Sequence, residues 1–600
     1  MKIGKQHFQG RLQSWLLFLL PVMLAISCWP QSTATIQIET DVHVSMRDGV
    51  SLSADIYRPA GSSKYPILLV RTPYDKSSEG ETCRAAAEHG YVCISQDVRG
   101  RYASQGEWYP FKNESNDGYD TVEWAATLPY SNGQVGMFGE SYVGATQWLA
   151  AISHPPHLVA IQPSVTASDY HNGWVFQGGA LELWFDQSWT SILAVETLQR
   201  AAMNSIPALE WAQRLPESDF PVLRLDNPAK LALYYFDWLA HPDDDAYWKQ
   251  WSIEHHYSEM PLAAHHVGGW YDVFLGGTLR NYMGMRAHAS TPWARDHQEL
   301  TIGPWIHDGP MNGKAGSLDF GSVAAFNKTQ TILTWYDQIF KHEKPQGKRV
   351  KIFVMGVNQW REEDDWPIPR TAYTRYYLNS AGHANSSSGD GTLSARIPDQ
   401  SYSDTFTYDP ANPVPTHGGS LCCLHDQVTQ EPSGAFDQSE IEKRNDVLIY
   451  TTAAFDKDFE VTGPLTAEIY VSSSAPDTDL TAKLVDVWPN GFAQNLADNS
   501  HRLRYRNAAE KPELLQPGKI YKVVIDVGAT SNVFRAGHRL RLELSSSNFP
   551  RFDRNLNTAE SPENGTRFVS AENRIYHDAE HPSAIVLPVI PPGNTAQSTK

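Results

Sequence analysis

Three residues of this chain have the types and the order of a hydroxyl nucleophile with its acid and its base: Ser141, Asp272 and His307. A serine hydroxyl is a weak nucleophile at neutral pH. It needs a base to take its proton, a carboxylate to orient that base, and donors for the oxyanion that forms on the carbonyl it attacks. Ser141 lies in Gly136-Met137-Phe138-Gly139-Glu140-Ser141-Tyr142-Val143-Gly144-Ala145. The apolar run from Val135 to Phe138 predicts a buried strand that breaks at Gly139. Beyond the serine, Thr146 to Ala151 predicts a helix. Strand, sharp turn, helix is the geometry that exposes a hydroxyl at a sheet edge and sets a helix N-terminus beside it. The usual pattern has a glycine two residues to each side of the serine. Gly139 fits, but position 143 is valine and the second glycine comes one place late, at Gly144.

The partners of a serine in a doubly wound hydrolase follow in the order acid, then histidine, each on a loop after a strand. Gly268 to Tyr271 leads into Asp272, the acid candidate, and Ile302 to Ile306 leads into His307, the base candidate. The chain has 22 histidines, so His307 stands out by position and not by type. Asp308 is a rival acid, but a carboxylate adjacent to the base converges poorly with it on Ser141. One oxyanion donor is the backbone N–H of Tyr142. The second belongs on the loop Arg71-Thr72-Pro73-Tyr74-Asp75-Lys76. Pro73 has no N–H, so the hydroxyl of Tyr74 is the candidate; the competing role for Tyr74 is a half-buried packing aromatic.

A sheet must carry these loops. Ile36 to Tyr57 alternates apolar and polar residues around Asp48-Gly49, a hairpin signal. Pro66 to Val70 and Tyr91 to Ser95 are short interior-type strands, with helical stretches at Thr82 to His89 and Asp117 to Thr127, and Leu158 to Gln162 continues the series. Strands alternating with helices predict a mostly parallel, doubly wound sheet. From about Tyr170 to His256 the pattern is helical with no strand run, and the sheet resumes with Ala263 to Trp270, Leu300 to Gly303 and Val350 to Met355. After about Arg370, short alternating runs such as Leu465 to Ser473, Tyr521 to Val527 and His538 to Ser545 predict an all-β module, a sandwich or jelly roll. Residues 381–445 read as loop-rich, and the tail from Pro591 as disordered.

Six hundred residues exceed one core. The net charge of −19 and the lack of any basic cluster argue against a nucleic-acid partner. Lys2, Lys5 and Arg11 precede an apolar stretch, Trp15 to Ala25, too short to span a bilayer comfortably. Residues 1–27 thus read as an export signal cut after Ser27, giving a secreted or periplasmic protein. Ala25-Ile26-Ser27-Cys28 is also a marginal lipobox, which makes Cys28 a possible site for a lipid anchor. Cys83, Cys93, Cys422 and Cys423 lack zinc-site spacing. An oxidising compartment permits disulfides among them, although neighbours such as Cys422 and Cys423 rarely bond to each other.

Several ordered motifs together resemble the cocaine-esterase/X-Pro dipeptidyl-peptidase superfamily of α/β-hydrolases (CocE/NonD). They are Arg71 to Lys76 (RTPYDK), Gln96 to Tyr102 (QDVRGRY), Gly139 to Gly144 (GESYVG), Gly269 to Asp272 (GWYD) and Gly303 to His307 (GPWIH). In the β module Phe459 to Pro464, Ser531 to Phe534 and Ser545 to Asn555 agree. The resemblance implies an α/β-hydrolase core at 36–169 and 257–370, a helical cap at 170–256 and a C-terminal jelly-roll domain at 371–593. It implies Ser141 as nucleophile, His307 as base, Asp272 as acid, and Tyr74 with the Tyr142 N–H as oxyanion hole, with no metal or organic cofactor. The family spans ester hydrolases, α-amino-acid ester hydrolases, cephalosporin acylases and proline-specific dipeptidyl peptidases. Gripping an α-ammonium group out of water needs carboxylates. Val273, Phe274 and Leu275 after the acid candidate are all apolar, leaving only Glu182 or Asp186 of the cap to supply charge. The expected substrate is therefore a small ester or amide of a hydrophobic or aryl acid, with X-Pro dipeptides or amino-acid esters as the alternative. An inactive secreted binding protein is a third reading, opposed by the filled Ser, Asp and His positions.

Overall fold

Runs that are apolar on both faces become the interior strands of a ten-stranded sheet, as a covered parallel sheet requires. The computed structural model describes residues 35–198, 213–218, 228–307, 312–344, 347–399, 402–423 and 433–591. The expected export signal, Asp308 and most of the tail lie outside them. The strands are β1 (Ile36–Ser45), β2 (Ser51–Pro59), β3 (Tyr65–Thr72), β4 (Val92–Asp97), β5 (Ser131–Glu140), β6 (Leu158–Ser164), β7 (Ala263–Tyr271), β8 (Gln298–Ile306), β9 (Val350–Val354) and β10 (Gln359–Glu363). Their order across the sheet is β1-β2-β4-β3-β5-β6-β7-β8-β9-β10. From β4 to β9 every neighbour is parallel. The edges are antiparallel: β1 with β2, β2 with β4, and β9 with β10. The Asp48-Gly49 turn closes the first hairpin, with the Met46 N–H donating to the Val50 carbonyl at 2.8 Å.

Helices α1 (Gly80–Glu88), α2 (Glu114–Ala126) and α3 (Tyr142–Ala151) follow β3, β4 and β5. Each sits within four residues of the span its sequence predicts, α3 beginning four residues earlier, directly after Ser141. α3 has no polar face and is buried along its whole length, lying between the sheet and α2 with Tyr142 at its N-terminus against Trp174 and Trp189. The predicted helical insertion contains α4 (Leu183–Leu198) and α5 (Pro228–Ala240). It also contains a feature its sequence does not announce: Phe176–Gln177 and Ala180–Leu181 pair as a miniature hairpin. Gly178 and Gly179 turn it, with φ of 56° and 80°. Two residues per strand are too few to show alternation. After β7 come α6 (Leu275–His288) and, after β8, α7 (Lys328–Phe340).

Beyond β10 the chain is all β. An eleven-stranded arrangement is built around the long strand Phe459–Ser473, paired antiparallel with Tyr521–Phe534. Its sequence motifs lie at the seams. Met355 exchanges backbone hydrogen bonds with Ser531 and Val533, both at 2.9 Å, docking the module onto the end of β9. The Phe549–Asn555 segment meets the cap. The Trp184 N–H donates to the Pro550 carbonyl at 3.1 Å, and Asp553 both accepts from the Leu181 N–H and donates to its carbonyl. Arg502 lies buried among Asp479, Asp553 and Glu563, so the charges at this seam are paired.

Candidate active site

Ser141 caps α3 with φ 59° and ψ −125°, a left-handed conformation a side chain rarely adopts. Strand register holds it there, because its N–H donates to the Ser164 carbonyl on β6 at 3.0 Å. The displaced glycine now has a physical cause. Gly139 has φ 139°, and a Cβ there would lie 2.2 Å from the Val143 side chain. Val143 thus fills the space over Gly139. Gly144 faces β6 instead, where a Cβ would come within 2.8 Å of Thr166 and 3.2 Å of the Ser164 carbonyl. The late glycine is what lets α3 lie against the strand next door.

β7 and β8 deliver the other two groups. At the end of β7 the chain turns, with the Asp272 N–H donating to the Gly269 carbonyl at 3.1 Å. His307 follows the last residue of β8. The His307 Nδ1–H donates to Asp272 Oδ1 at 2.6 Å, and the Ser141 hydroxyl lies 3.0 Å from His307 Nε2. Asp272 is wholly buried and the His307 side chain nearly so. Acid and hydroxyl therefore engage different nitrogens of one ring, the arrangement a proton relay needs. The all-β module holds a second Ser, His and Asp together, and it lacks this property. Ser380 and Asp404 both meet Nε2 of His577, at 3.1 and 2.8 Å. Nδ1 of that histidine is buried without a partner among the described residues. That second cluster is a packed polar knot.

Tyr74 lies on the loop after β3, where its N–H donates to the Thr72 hydroxyl at 3.0 Å. Its phenolic oxygen accepts from the Trp189 indole N–H at 2.8 Å. Trp189 in turn stacks on Tyr142, ring centres 5.7 Å apart. Tyr142 is the first residue of α3, so its N–H has no acceptor one turn back in the helix. The Tyr142 side chain is buried: its hydroxyl donates to Glu114 Oε1 at 3.1 Å and accepts from the Phe111 N–H at 2.8 Å. Burial pushes the Tyr142 phenol and the Glu114 carboxyl upward in pKa, the latter against the pull of Arg71.

Phe274, noted in the sequence as one of three apolar residues after the acid candidate, is joined around the serine by residues the sequence did not single out. Phe274 stands edge-on to the His307 ring at 5.1 Å and stacks on Trp174 at 4.6 Å. Phe185 and Trp189, one turn apart on α4, close on Trp174 at 5.5 Å each. Arg101 donates from Nε to the Pro73 carbonyl at 3.0 Å and from Nη1 to the Leu193 carbonyl at 3.2 Å. It thereby clamps the Tyr74 loop to α4. The helical spacing of Phe185 and Trp189 was visible in the sequence, but the face they present was not. Of the two cap acids, Glu182 is 3.7 Å from Arg551, and burial pushes its carboxyl up to about 7. Burial beside Glu182 pushes Asp186 well up too. Both environments favour the uncharged acid, so neither is a ready counter-charge for a cation. Cys83 pairs with Cys93, a pairing open in the sequence, and Cys422 bonds to its neighbour Cys423, against the expectation that adjacent cysteines stay unpaired with each other.

A serine, a histidine and an aspartate joined in this order on an α/β sheet have the geometry on which a serine hydrolase relies. Comparison with known proteins agrees. Residues 48–309 match the X-Pro dipeptidyl-peptidase (S15 family) model, and residues 344–586 match the model of the X-Pro dipeptidyl-peptidase C-terminal non-catalytic domain. The chain is 39% identical to a cocaine esterase of Rhodococcus over 586 residues, 92% of this chain and 98% of that one. The solved aminopeptidase of a marine-sediment Thaumarchaeota archaeon superposes with a TM-score of 0.79 at 25% identity, covering 93% of this chain and 97% of that chain. An α-amino-acid ester hydrolase shares the fold with a TM-score of 0.77 at 24% identity, over 95% of this chain and the whole of the other. The chain belongs to the X-Pro dipeptidyl-peptidase (S15) family of serine hydrolases.

Proposed function

We propose that the chain is an acyl esterase in which Ser141 is acylated by esters of hydrophobic or aryl acids. The Ser141 hydroxyl gives its proton to His307 Nε2 as its oxygen attacks the carbonyl carbon. Asp272 holds the Nδ1–H and stabilises the imidazolium that forms. The Tyr142 N–H and the Tyr74 hydroxyl receive the oxyanion. His307 then protonates the departing alkoxide, and water repeats the sequence on the acyl-enzyme. The observation that carries this reading is the use of two different nitrogens of His307 by Ser141 and Asp272. The acyl preference is supported by the aromatic wall of Phe274, Trp174 and Phe185 and by the protonation-favouring burial of the cap acids. The likeness to a cocaine esterase agrees with it.

Paired assays with p-nitrophenyl butyrate and Ala-Pro-p-nitroanilide test the reading. Turnover of the butyrate with little or none of the dipeptide anilide is expected; the reverse preference would make the protein a dipeptidyl peptidase. We extend the proposal to location: the basic and apolar segments before Cys28, with two disulfides, support an exported enzyme, secreted or periplasmic.

A further inference from the structure

The bonded pair Cys422–Cys423 lies against the cap helix that carries the site's aromatic wall. Cys422 is wholly buried, Cys423 nearly so, and both pack in one apolar cluster with Trp174, Trp189 and Phe274. Their two carbonyls face successive turns of α4. The Trp184 indole N–H donates to the Cys423 carbonyl at 3.0 Å. The Ser188 hydroxyl, which has a single proton to give and lies 3.1 Å from the Phe185 carbonyl of its own helix, sits 3.4 Å from the Cys422 carbonyl. Ser188 directly precedes Trp189, whose indole holds the Tyr74 hydroxyl. A bond between neighbouring cysteines closes a small ring through the peptide unit between them. It thereby fixes the direction of the Cys422 carbonyl and the φ of Cys423, from which the Cys423 carbonyl leaves just outside the ring. Cys423 has φ 70°, a backbone state that non-glycine residues seldom keep unaided. The Cys83–Cys93 pair is elsewhere: it ties α1 to β4 within a separate apolar cluster.

We propose that the Cys422–Cys423 disulfide is a redox-sensitive latch that positions α4 and, through Trp189, the Tyr74 hydroxyl. The proposal rests on the esterase reading and adds a mode of regulation to it. The co-reactant is a dithiol reductant. Its thiolate attacks one cysteine sulfur, the S–S bond breaks, and the electron pair leaves on the other sulfur, which takes up a proton. The second thiol of the reductant resolves the mixed disulfide, so the reductant ends as a disulfide and the chain as two thiols. With the ring open the peptide unit between the cysteines can turn and the φ of Cys423 is released, so the Cys423 carbonyl no longer holds Trp184 of α4 in one place.

The test titrates the full chain with dithiothreitol. Alkylation and mass spectrometry follow the 83/93 and 422/423 peptides separately, alongside turnover of p-nitrophenyl benzoate. Turnover should fall in step with alkylation at 422/423, by about 3- to 10-fold, the range set by weakening one positioning hydrogen bond. The Cys422→Ser/Cys423→Ser variant should start at the lower value and ignore the reductant. In a Tyr74→Phe background, where the positioned hydroxyl is already gone, opening the ring should change kcat much less, a readout that simple loosening of the fold would not give. Free thiols at 422/423 before reduction would overturn the proposal. So would activity that follows the 83/93 pair, activity that ignores the reductant, or an equal drop with Tyr74→Phe. If the serine variant does not fold, the titration of the natural chain still decides. Fluorophosphonate labelling of Ser141 reports on the esterase reading independently, so a failed latch and a failed active site give different results.

Discussion

At the scale of residues, chemistry follows from which atom faces which. Ser141 and Asp272 divide the two nitrogens of His307, whereas Ser380 and Asp404 compete for one nitrogen of His577. Residue types alone would rank the two clusters equal. The Tyr74 phenol accepts a hydrogen bond from Trp189, which orients it. Tyr74→Phe is accordingly expected to lower kcat by about 10²–10³ with a smaller effect on KM. A steady-state comparison of the purified variant checks this, and an unchanged kcat would return Tyr74 to a packing role. Loop position after a strand singled out the serine, acid and base candidates in the sequence, whereas Tyr74 stood between oxyanion donor and packing aromatic and was favoured as the donor only through the family resemblance. The contacts of Trp189 and Arg101 were not legible there, because they depend on which way a helix or a loop faces, and local sequence does not encode that. Phe274 was legible as an apolar position after the acid candidate but not as the ring beside His307.

At the scale of elements, the two glycines of the serine turn explain how close α3 can come to its neighbours. Gly144→Ala would place a methyl 2.8 Å from Thr166 beside β6. Thermal unfolding should show a loss of about 1–3 kcal/mol, the usual cost of overpacking, and kcat should fall as Ser141 is displaced. An unchanged Tm would mean that α3 can shift freely. Strands and helices of the core were legible through their periodicity, including the parallel series and the Asp48-Gly49 hairpin. The two-residue strands at Phe176–Gln177 and Ala180–Leu181 were not, since so short a pairing is made by two glycines and by the β module behind it.

At the scale of the whole molecule, hydrogen bonds from Leu181 and Trp184 to the Pro550–Asp553 segment join the cap residues to the β module across a buried seam. Glu182 lies at that seam, opposite Arg551. In the folded chain it keeps its proton up to about pH 7, whereas in the unfolded chain it ionises near pH 4. The folded state therefore binds more protons between those values, and stability falls as pH rises from about 4 to about 7. Glu182→Gln removes that loss. Relative to the natural chain it should gain stability at pH 8 compared with pH 5, on the order of 1–3 kcal/mol, read from denaturant unfolding at both values. A difference that does not depend on pH would show that Glu182 is ionised in the fold. The module and its motifs were legible in the sequence, but their place at the seams was not, because contacts such as Met355 with Ser531 join residues far apart in the chain.

The central claim is that Ser141 is the residue that becomes acylated. Incubating the protein with a fluorophosphonate probe and mapping the adduct by mass spectrometry tests it directly. The predicted result is stoichiometric labelling of the peptide carrying Ser141, lost in Ser141→Ala while that variant keeps the natural unfolding transition. Labelling that persists in Ser141→Ala, or that maps to Ser380 or another serine, would contradict the account.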